Sequence, residues 1–498
     1  MLRPLIAATA VVALLAGCSG GDDTKSDSST GDGGGESAST PNAPNVPSFD
    51  PPKGFVAAAA IGEPDIPKLV ESKIKAGMIG RIALYATQAG ISGADAAGQS
   101  SSWNVPASDV STTTTSDVTK PVAVQLNGKE AVAVAFVQRA QGTGTQKARG
   151  QINFLWLDPA DGKKLAQVIL DLTAAVGPDE GGDDVLSQAA DPATGQLAMG
   201  LSPDSETAAK KVGQFTVYAD PATQKGSVIP NLRVAGLLNG VVAGARGDGH
   251  EGSTELSAAL IDATTGAVKK NTPIAMNYLN PVAAAPKHGY LTGQKYVSPP
   301  AGKYEGHYVS SIYSIDLTTG AVVESKFANT TDDPPGRNCW SDEQTAVVCN
   351  SGEYLKPSTE IFGIDDTTGK KVWGYTSTSG SRVVPEITAA YHGVVYTQAE
   401  ALPVLMDAKT GQDIPTPTPT PADGSTPSTP TDTSSPTSET TPTDGSSPSL
   451  GGDSDLSLLR DKVKSPTAVS PYGGTYLQDP LGDDLEHVKI LIVLKATA

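Results

Sequence analysis

The stretch Ser257-Ala-Ala-Leu-Ile-Asp262-Ala-Thr-Thr-Gly266 joins an apolar run to an aspartate and places a glycine four residues later. Glycine adopts positive φ without steric cost, and an aspartate carboxylate accepts hydrogen bonds from turn amides, so the stretch predicts a strand that ends in a hairpin turn. We assign its aspartate and glycine a structural role. The same pattern recurs, with or without the glycine, at Asp95, Asp158 and Gly162, Asp220, Asp316 and Gly320, Asp365 and Gly369, and Asp407 and Gly411.

Two other stretches differ from this repeat. Asp191-Pro-Ala-Thr-Gly195 has the turn residues but only two alanines before it, so we predict that it starts a strand over 197–201 and do not count it as a repeat. Helical periodicity is scarce, and 66–78 is the one stretch for which it predicts a short amphipathic helix.

The repeat spacing predicts an all-β propeller. Successive aspartates lie between 42 residues apart, from Asp365 to Asp407, and 63 apart, from Asp95 to Asp158. Periods in the forties with insertions are typical of four-stranded blades. We expect eight blades, with seven as the alternative. The ring must close, so a C-terminal strand at 488–494 should share its blade with an N-terminal strand at 55–61.

The repeats resemble those of pyrroloquinoline-quinone-type (PQQ-like) propellers, in which a strand, an Asp-x-x-Thr-Gly turn and a tryptophan recur. Ile361-Phe-Gly-Ile-Asp-Asp-Thr-Thr-Gly-Lys-Lys-Val-Trp373 and the segment 85–95 carry the resemblance, which covers most of 55–413. It implies the fold and no particular activity. Trp103 and Trp373 stand where the repeat places its tryptophan, and the other blades lack that residue.

The N-terminus has the features of a bacterial lipoprotein signal. An apolar segment from Leu5 to Leu15 is too short to span a bilayer but suits a signal peptide. It ends in Leu15-Ala16-Gly17-Cys18, which resembles the lipobox and implies cleavage before Cys18 with lipid attached to its sulfur. The alternative is an ordinary secretory signal with a chance cysteine. We expect a lipid anchor on the outer face of the cytoplasmic membrane.

Amino-acid composition divides the chain into four segments. Residues 1–17 form the signal peptide, and residues 18–52, rich in Ser, Thr, Gly, Asp and Pro, form a disordered linker. The propeller comprises 53–413 and 455–498. Between them, 414–454 is a Pro/Thr/Ser-rich insertion that cannot offset the entropy of ordering, and it is either glycosylated or a plain spacer.

Charge and cysteines limit the function further. The formal net charge is −18, with 36 Lys+Arg against 54 Asp+Glu, which argues against a nucleic-acid partner. Of three cysteines, Cys18 is assigned to the lipid, which leaves Cys339 and Cys349 as a disulfide pair in an exported protein. A free or metal-binding pair is the alternative.

No catalytic motif stands out. The sequence has no nucleophile elbow, P-loop or zinc-protease motif, and its five histidines are scattered. The acidic residues Asp179, Glu180, Asp183 and Asp184 suit a solvated loop better than a calcium site. Quinoproteins of the resembled family use an adjacent Cys-Cys disulfide, which this chain lacks, so we expect no metal, PQQ or calcium and assign no catalytic residue.

These observations predict a non-enzymatic, lipid-anchored propeller that binds a protein or a cell-envelope ligand through the loops at one end of the ring. The alternative is a quinoprotein or other propeller enzyme with a site in the central channel. A sensor ectodomain is disfavoured because the sequence offers no transmembrane helix with which to signal.

Overall fold

A computed structural model describes residues 47–62, 74–96, 103–142, 144–145, 147–177, 182–203, 213–247, 255–299, 306–328, 330–331, 335–353, 357–379, 382–400, 402–415, 464–478 and 490–497. Side-chain burial is further defined for most of these residues. Cys18, the signal peptide, residues 416–454 of the insertion and residues 455–463 of the predicted propeller lie outside the described residues.

The described chain forms eight antiparallel sheets, the blades of a propeller. The first strand, β1 (Phe55–Gly62), belongs to the last blade. Blade one contains β2 (Lys75–Ile79), β3 (Ile82–Ala86), β4 (Gly90–Asp95) and β5 (Trp103–Pro106). Blade two contains β6 (Thr113–Val118), β7 (Val122–Leu126), β8 (Lys129–Ala140), β9 (Arg149–Leu157) and β10 (Lys164–Asp171). Its inner edge is divided, and β6 and β7 both pair with β8.

The short helix α1 (Thr173–Val176) leads into blade three, which contains β11 (Gly182–Ala190), β12 (Leu197–Pro203), β13 (Phe215–Asp220) and β14 (Lys225–Pro230). Blade four contains β15 (Arg233–Leu238), β16 (Val241–Arg246), β17 (Ser257–Asp262) and β18 (Val268–Pro273). Blade five contains β19 (Tyr278–Ala284), β20 (His288–Val297), β21 (His307–Asp316) and β22 (Val322–Lys326).

Blade six contains β23 (Pro335–Ser341), β24 (Ala346–Glu353), β25 (Glu360–Asp365) and β26 (Lys370–Thr376). Blade seven contains β27 (Glu386–Tyr391), β28 (Val394–Ala399), β29 (Leu402–Asp407) and β30 (Asp413–Ile414). Blade eight contains β31 (Ala468–Ser470), β32 (Gly473–Gln478) and β33 (Ile490–Ala496), to which β1 adds the outer strand.

Blade eight closes the ring, as the sequence predicted. In it β1 runs antiparallel to β33, from Phe55 opposite Ala496 to Gly62 opposite Ile490. In each of the other seven blades, the outer strand follows the third strand directly in the sequence. Blade eight takes this strand from the N-terminus, which explains why the strand-ending aspartate recurs in every blade except the eighth.

Side chains from neighbouring sheets fill the space between blades. At the junction of blades two and three, Phe154 and Trp156 pack with Phe215, and all three side chains are fully buried. Small residues let neighbouring blades approach one another closely. A Cβ atom on Gly289 of blade five would lie 3.0 Å from the backbone nitrogen of Gly236 of blade four.

The up-and-down order of strands gives the ring two different ends. The inner and outer hairpins of blades one to seven, and the inner hairpin of blade eight, turn at one end, which we call the hairpin end; in blade four these turns are 238–241 and 262–268. The middle strands and successive blades are connected at the other end, which we call the loop end; in blade four these connections are 246–257 and 273–278.

Three sequence predictions need correction. The stretch 75–78 lies in strand β2 and not in a helix, because Lys75–Ile79 pairs along Ile82–Ala86; residues 66–73 lie outside the described part. The linker ends before residue 52, because Phe49 N donates to Pro471 O at 2.7 Å. The insertion starts after Ile414, which lies in β30.

Candidate functional site

The repeat aspartates hold turns. Gly266 adopts φ 71° and donates its backbone N–H to Asp262 O at 2.9 Å. The Asp262 carboxylate accepts the backbone N–H and the hydroxyl of Thr265 at 3.0 and 2.9 Å. These hydrogen bonds lower the pKa of Asp262, because they favour its charged form. Equivalent N–H···O bonds close the turns at Asp158 and Gly162, Asp316 and Gly320, Asp365 and Gly369, and Asp407 and Gly411.

The two degraded copies fold differently. In blade three, Gln224 with φ 54° takes the left-handed conformation that glycine supplies elsewhere. In blade one, the buried Asp95 carboxylate lies 2.6 Å from Arg81 Nη2. Asp95 thus pairs with Arg81, and Asp220 accepts the backbone N–H of Ala222 at 2.9 Å, so both aspartates hold turns within the fold.

Trp103 and Trp373 dock neighbouring blades, as their position in the repeat predicted. The Trp103 indole lies against Gly162 of blade two and donates Nε1–H to Pro159 O at 2.9 Å. Strand β4 makes room for this ring at Gly93, where a Cβ would lie 2.3 Å from the indole. These tryptophans are therefore structural.

Cys339 and Cys349 form the predicted disulfide. They are directly opposite each other on β23 and β24, with their Cα atoms 4.1 Å apart and their sulfur atoms 2.04 Å apart. The bond crosses two neighbouring strands of one blade, so both cysteines have a structural role.

The histidines do not converge. His250 and His487 lie outside the described residues. His288 is buried at the hairpin end of blade five, with Nδ1 3.3 Å from Asp366 Oδ1 but outside hydrogen-bond geometry. Asp366 also accepts the Tyr290 hydroxyl at 2.7 Å. Burial opposes the charge on His288, yet Asp366 raises its pKa overall. The sequence missed this network, for which the doubled aspartate in Asp365-Asp366 was the available signal.

No group of three or more His, Cys, Asp or Glu side chains with metal-binding geometry occurs within the described ranges. Asp179 and Glu180 lie outside them, and the side chain of Asp183 is not described. Similarly, no described helix is long and apolar enough to cross a membrane.

The best candidate for a functional site is the axial channel. Lys120 lies between β6 and β7 on the inner edge of blade two, and Glu343 lies in the inner hairpin of blade six. In a ring of eight, these blades are opposite each other, so the charge interaction between the two residues crosses the axis. Both side chains are exposed to solvent, yet the protein that surrounds them disfavours their charged forms. This desolvation lowers the pKa of Lys120 and raises that of Glu343, and the charge of each residue opposes the shift of the other.

Two residues of inner hairpins lie near the channel. Glu343 and His392, in the inner hairpins of blades six and seven, adopt φ 66° and 43°. Asn127 and Asn239 hold the same conformation in the inner hairpins of blades two and four, at φ 53° and 48°, so this positive φ belongs to the tight hairpin turns and does not mark a site. His392 also stacks on Tyr391 and pairs through Nδ1 with Asp50 of the N-terminal segment. The N-terminal segment therefore lies at the hairpin end, beside the channel.

The loop end carries a separate cleft. An open space of about 390 Å³ lies beside blade two, between the β8–β9 connection and α1. Its charged lining includes Lys147, Arg149 and Asp171, and Arg149 lies 3.5 Å from Asp171. The cleft is open to solvent and polar, which suits contact with another molecule better than enclosure of a reaction.

Comparisons with known proteins are limited to the fold. No protein-family profile matches the chain, and no curated protein matches it in sequence. Similar solved structures include the dihydro-heme d1 dehydrogenase NirN, with 14% identity, 75% of both chains covered and a TM-score of 0.41. The Comamonas testosteroni quinohemoprotein alcohol dehydrogenase shares 11% identity over 72% of this chain and 68% of its own, with a TM-score of 0.39. Hydrazine synthase from Kuenenia stuttgartiensis shares 12% identity over 69% of this chain and 99% of its own, with a TM-score of 0.38.

Proposed function

We propose that this protein is an exported, lipid-anchored propeller that acts as a non-catalytic binding or scaffold protein on the outer face of the cytoplasmic membrane. The observation that carries the proposal is Leu15-Ala16-Gly17-Cys18, followed by a polar segment that leads to the ring. Two or more acyl chains anchor a protein stably, where a single chain would not. The partner is a protein or another component of the cell envelope.

The position of the N-terminal segment supports a choice of binding face. Phe49 and Asp50 contact the inner hairpins of blades eight and seven, so the segment joins the ring at its hairpin end. We therefore propose that partners meet the loop end, which these N-terminal residues do not contact. The connections at the loop end vary more in length than the turns at the hairpin end. Binding residues concentrate in such variable connections on a rigid scaffold.

Replacing Cys18 by Ser tests the anchor. The variant should leave the membrane fraction and appear in the soluble exported fraction, while the Cys339→Ser/Cys349→Ser double variant should remain on membranes. A Cys18→Ser protein that stays on membranes would show that the anchor assignment is wrong.

A photo-crosslinking amino acid at either end of one strand tests the binding face. Glu255 precedes β17 at the loop end, and Thr264 follows it at the hairpin end; both are exposed. We expect an envelope component to crosslink to position 255 in intact cells and not to position 264. Crosslinks to 264 alone would place partners on the hairpin end and contradict the proposal.

The alternative is an enzyme of the quinoprotein or another propeller class. The shifted pKa values of Lys120 and Glu343 favour this alternative, because perturbed pKa values cluster in active sites. Purified protein mixed with PQQ and calcium should show no spectral change and no dye reduction. Dye reduction by the wild type that is lost in Lys120→Met would support the enzyme and overturn the scaffold role.

A further inference from the structure

Arg233 is a buried cation without a described anionic partner. It begins β15, the inner strand of blade four, at the loop end, and only 3% of the residue is exposed. Its Nη1 donates to Asn280 Oδ1 of blade five at 2.5 Å, while Nε and Nη2 have no hydrogen-bond partner. Burial lowers the pKa of Arg233 to about 10, and no charged group among the described residues offsets this shift. A guanidinium in this state is costly to bury.

Arg337 has a similar environment two blades further round the ring. It lies on β23, the inner strand of blade six, near the loop end, and is 7% exposed. Its guanidinium stacks over the Phe327 ring at 4.5 Å, but none of its three nitrogens has a hydrogen-bond partner. Burial lowers its pKa to about 9, although the charge of Glu360 opposes this shift.

Strand register shows that Arg337 faces blade five. Residues two apart on a strand share a face, so Arg337 lies on the same face as Cys339, which packs into the core between blades five and six. Ile312 of blade five packs into the same core, and its register partner Thr292 shares that face.

Two further polar groups on this face of blade five lack partners. Ser310 lies two residues from Ile312, and its hydroxyl, like that of Thr292, is buried without a hydrogen bond. The register partner of Thr292 on the inner strand is Asn280, which is exposed and already bonded to Arg233. The unpaired donors of Arg233 and Arg337 therefore flank the inner strand of blade five.

We infer that Arg233, Asn280 and Arg337 form a binding site for an oxyanion, the carboxylate or phosphate group of a small solute, on the inner wall of the ring at the loop end. A guanidinium presents a planar set of donors that matches the oxygens of both groups. Asn280 lies at the solvent-exposed surface of the channel, where its amide nitrogen can donate to the same group. The anion would supply acceptors for the unpaired nitrogens of Arg233 and Arg337 and a negative charge beside Arg233; a bound ion or water is one explanation for buried polar groups without partners.

This inference does not depend on the lipid anchor, and it holds for a binding protein or for an enzyme. It is tested on the exported chain carrying Cys18→Ser, if that variant is soluble, or otherwise on the detergent-solubilised protein. Melting temperature is measured with increasing sodium phosphate or sodium acetate, each against sodium chloride at the same ionic strength.

We expect at least one of the two oxyanions to raise the melting temperature saturably above the chloride control, because a ligand that binds only the folded state stabilises it. The anion that raises the melting temperature shows whether the ligand group is a phosphate or a carboxylate. Arg233→Met and Arg337→Met should each weaken the apparent affinity at least tenfold. Arg139→Met, which alters an exposed arginine near the loop end of β8, should respond as the wild type does.

The melting temperature without added anion provides a second readout. Arg233→Met removes a buried charge that lacks a counterion, so we expect it to melt no lower than the wild type in chloride. No response of the wild type to either anion beyond chloride would overturn the inference. An undiminished response in both arginine variants would also overturn it.

Discussion

Trp373 of blade six lies against Gly411 of blade seven and donates its indole N–H to Ala408 O of that blade at 2.9 Å. Trp103 and Gly162 have the same arrangement between blades one and two. The repeat thus places one residue of its motif, the turn glycine, as the surface on which the preceding blade packs its tryptophan.

Gly411→Ala should destabilise the ring more than Gly266→Ala. The two glycines have nearly the same φ, 68° and 71°, so alanine costs about 1–2 kcal/mol at either site from the left-handed conformation alone. At Gly411 the new Cβ would also lie 2.5 Å from Trp373 Cε3, whereas nothing lies within 4 Å at Gly266. Overpacking of this kind costs about 1–3 kcal/mol more. Urea unfolding of both variants measures the difference, and equal losses would exclude tryptophan docking as a stabilising contact.

Deleting 488–498 should destabilise the entire domain. This change removes β33, which lies between β32 and β1, and leaves both strands with unpaired edges. Calorimetry should show a lower melting temperature for the whole transition. Removal of Ala498 alone, beyond β33, is the matched control and should melt as the wild type does. A deletion variant with an unchanged transition would mean that the ring does not depend on this closure.

Reducing the Cys339–Cys349 bond should cost stability without changing the fold. In the chain-entropy model, a closed loop of about ten residues restricts the unfolded chain by roughly 2–3 kcal/mol. Mass spectrometry of unreduced protein should find the two cysteine peptides linked. The Cys339→Ala/Cys349→Ala variant should have native circular dichroism and unfold at lower urea. Recovery of both residues as free thiols after oxidising expression would contradict the bond.

The contribution of His288 to stability should decline as pH rises. Asp366 raises the folded-state pKa of His288 above its usual value near 6.5, so the charged form is favoured by folding. That stabilisation is fully present below the unfolded pKa and is lost as pH rises through the raised folded value. The melting temperature of the wild type should therefore exceed that of His288→Gln most at pH 5, and the excess should shrink towards pH 9. His307→Gln, at the loop end, should show no such trend, and a constant excess for His288 would refute the coupling.

The sequence alone determined the architecture because its signals are local. A strand that ends in Asp262 with Gly266 four residues later needs only its own hydrogen bonds to form a turn, and repetition of that unit specifies blades. Closure through 55–61 and the pairing of Cys339 with Cys349 followed from the need to satisfy a strand edge and from the short loop between the cysteines. Local periodicity alone was less reliable at 75–78, where strand pairing overrode a helical pattern.

Only the tertiary structure decided which distant residues meet. The charges of Lys120 and Glu343 interact although their blades are opposite in a ring of eight, and a residue's angular position depends on every blade before it. Closure of the ring likewise brings Asp50 to His392, and the packing of adjacent blades brings Arg233 to Asn280. Turn and strand patterns act over a few residues and carry no information about this accumulated rotation. The blades could therefore be predicted from the sequence, but the charged groups along the axis could not.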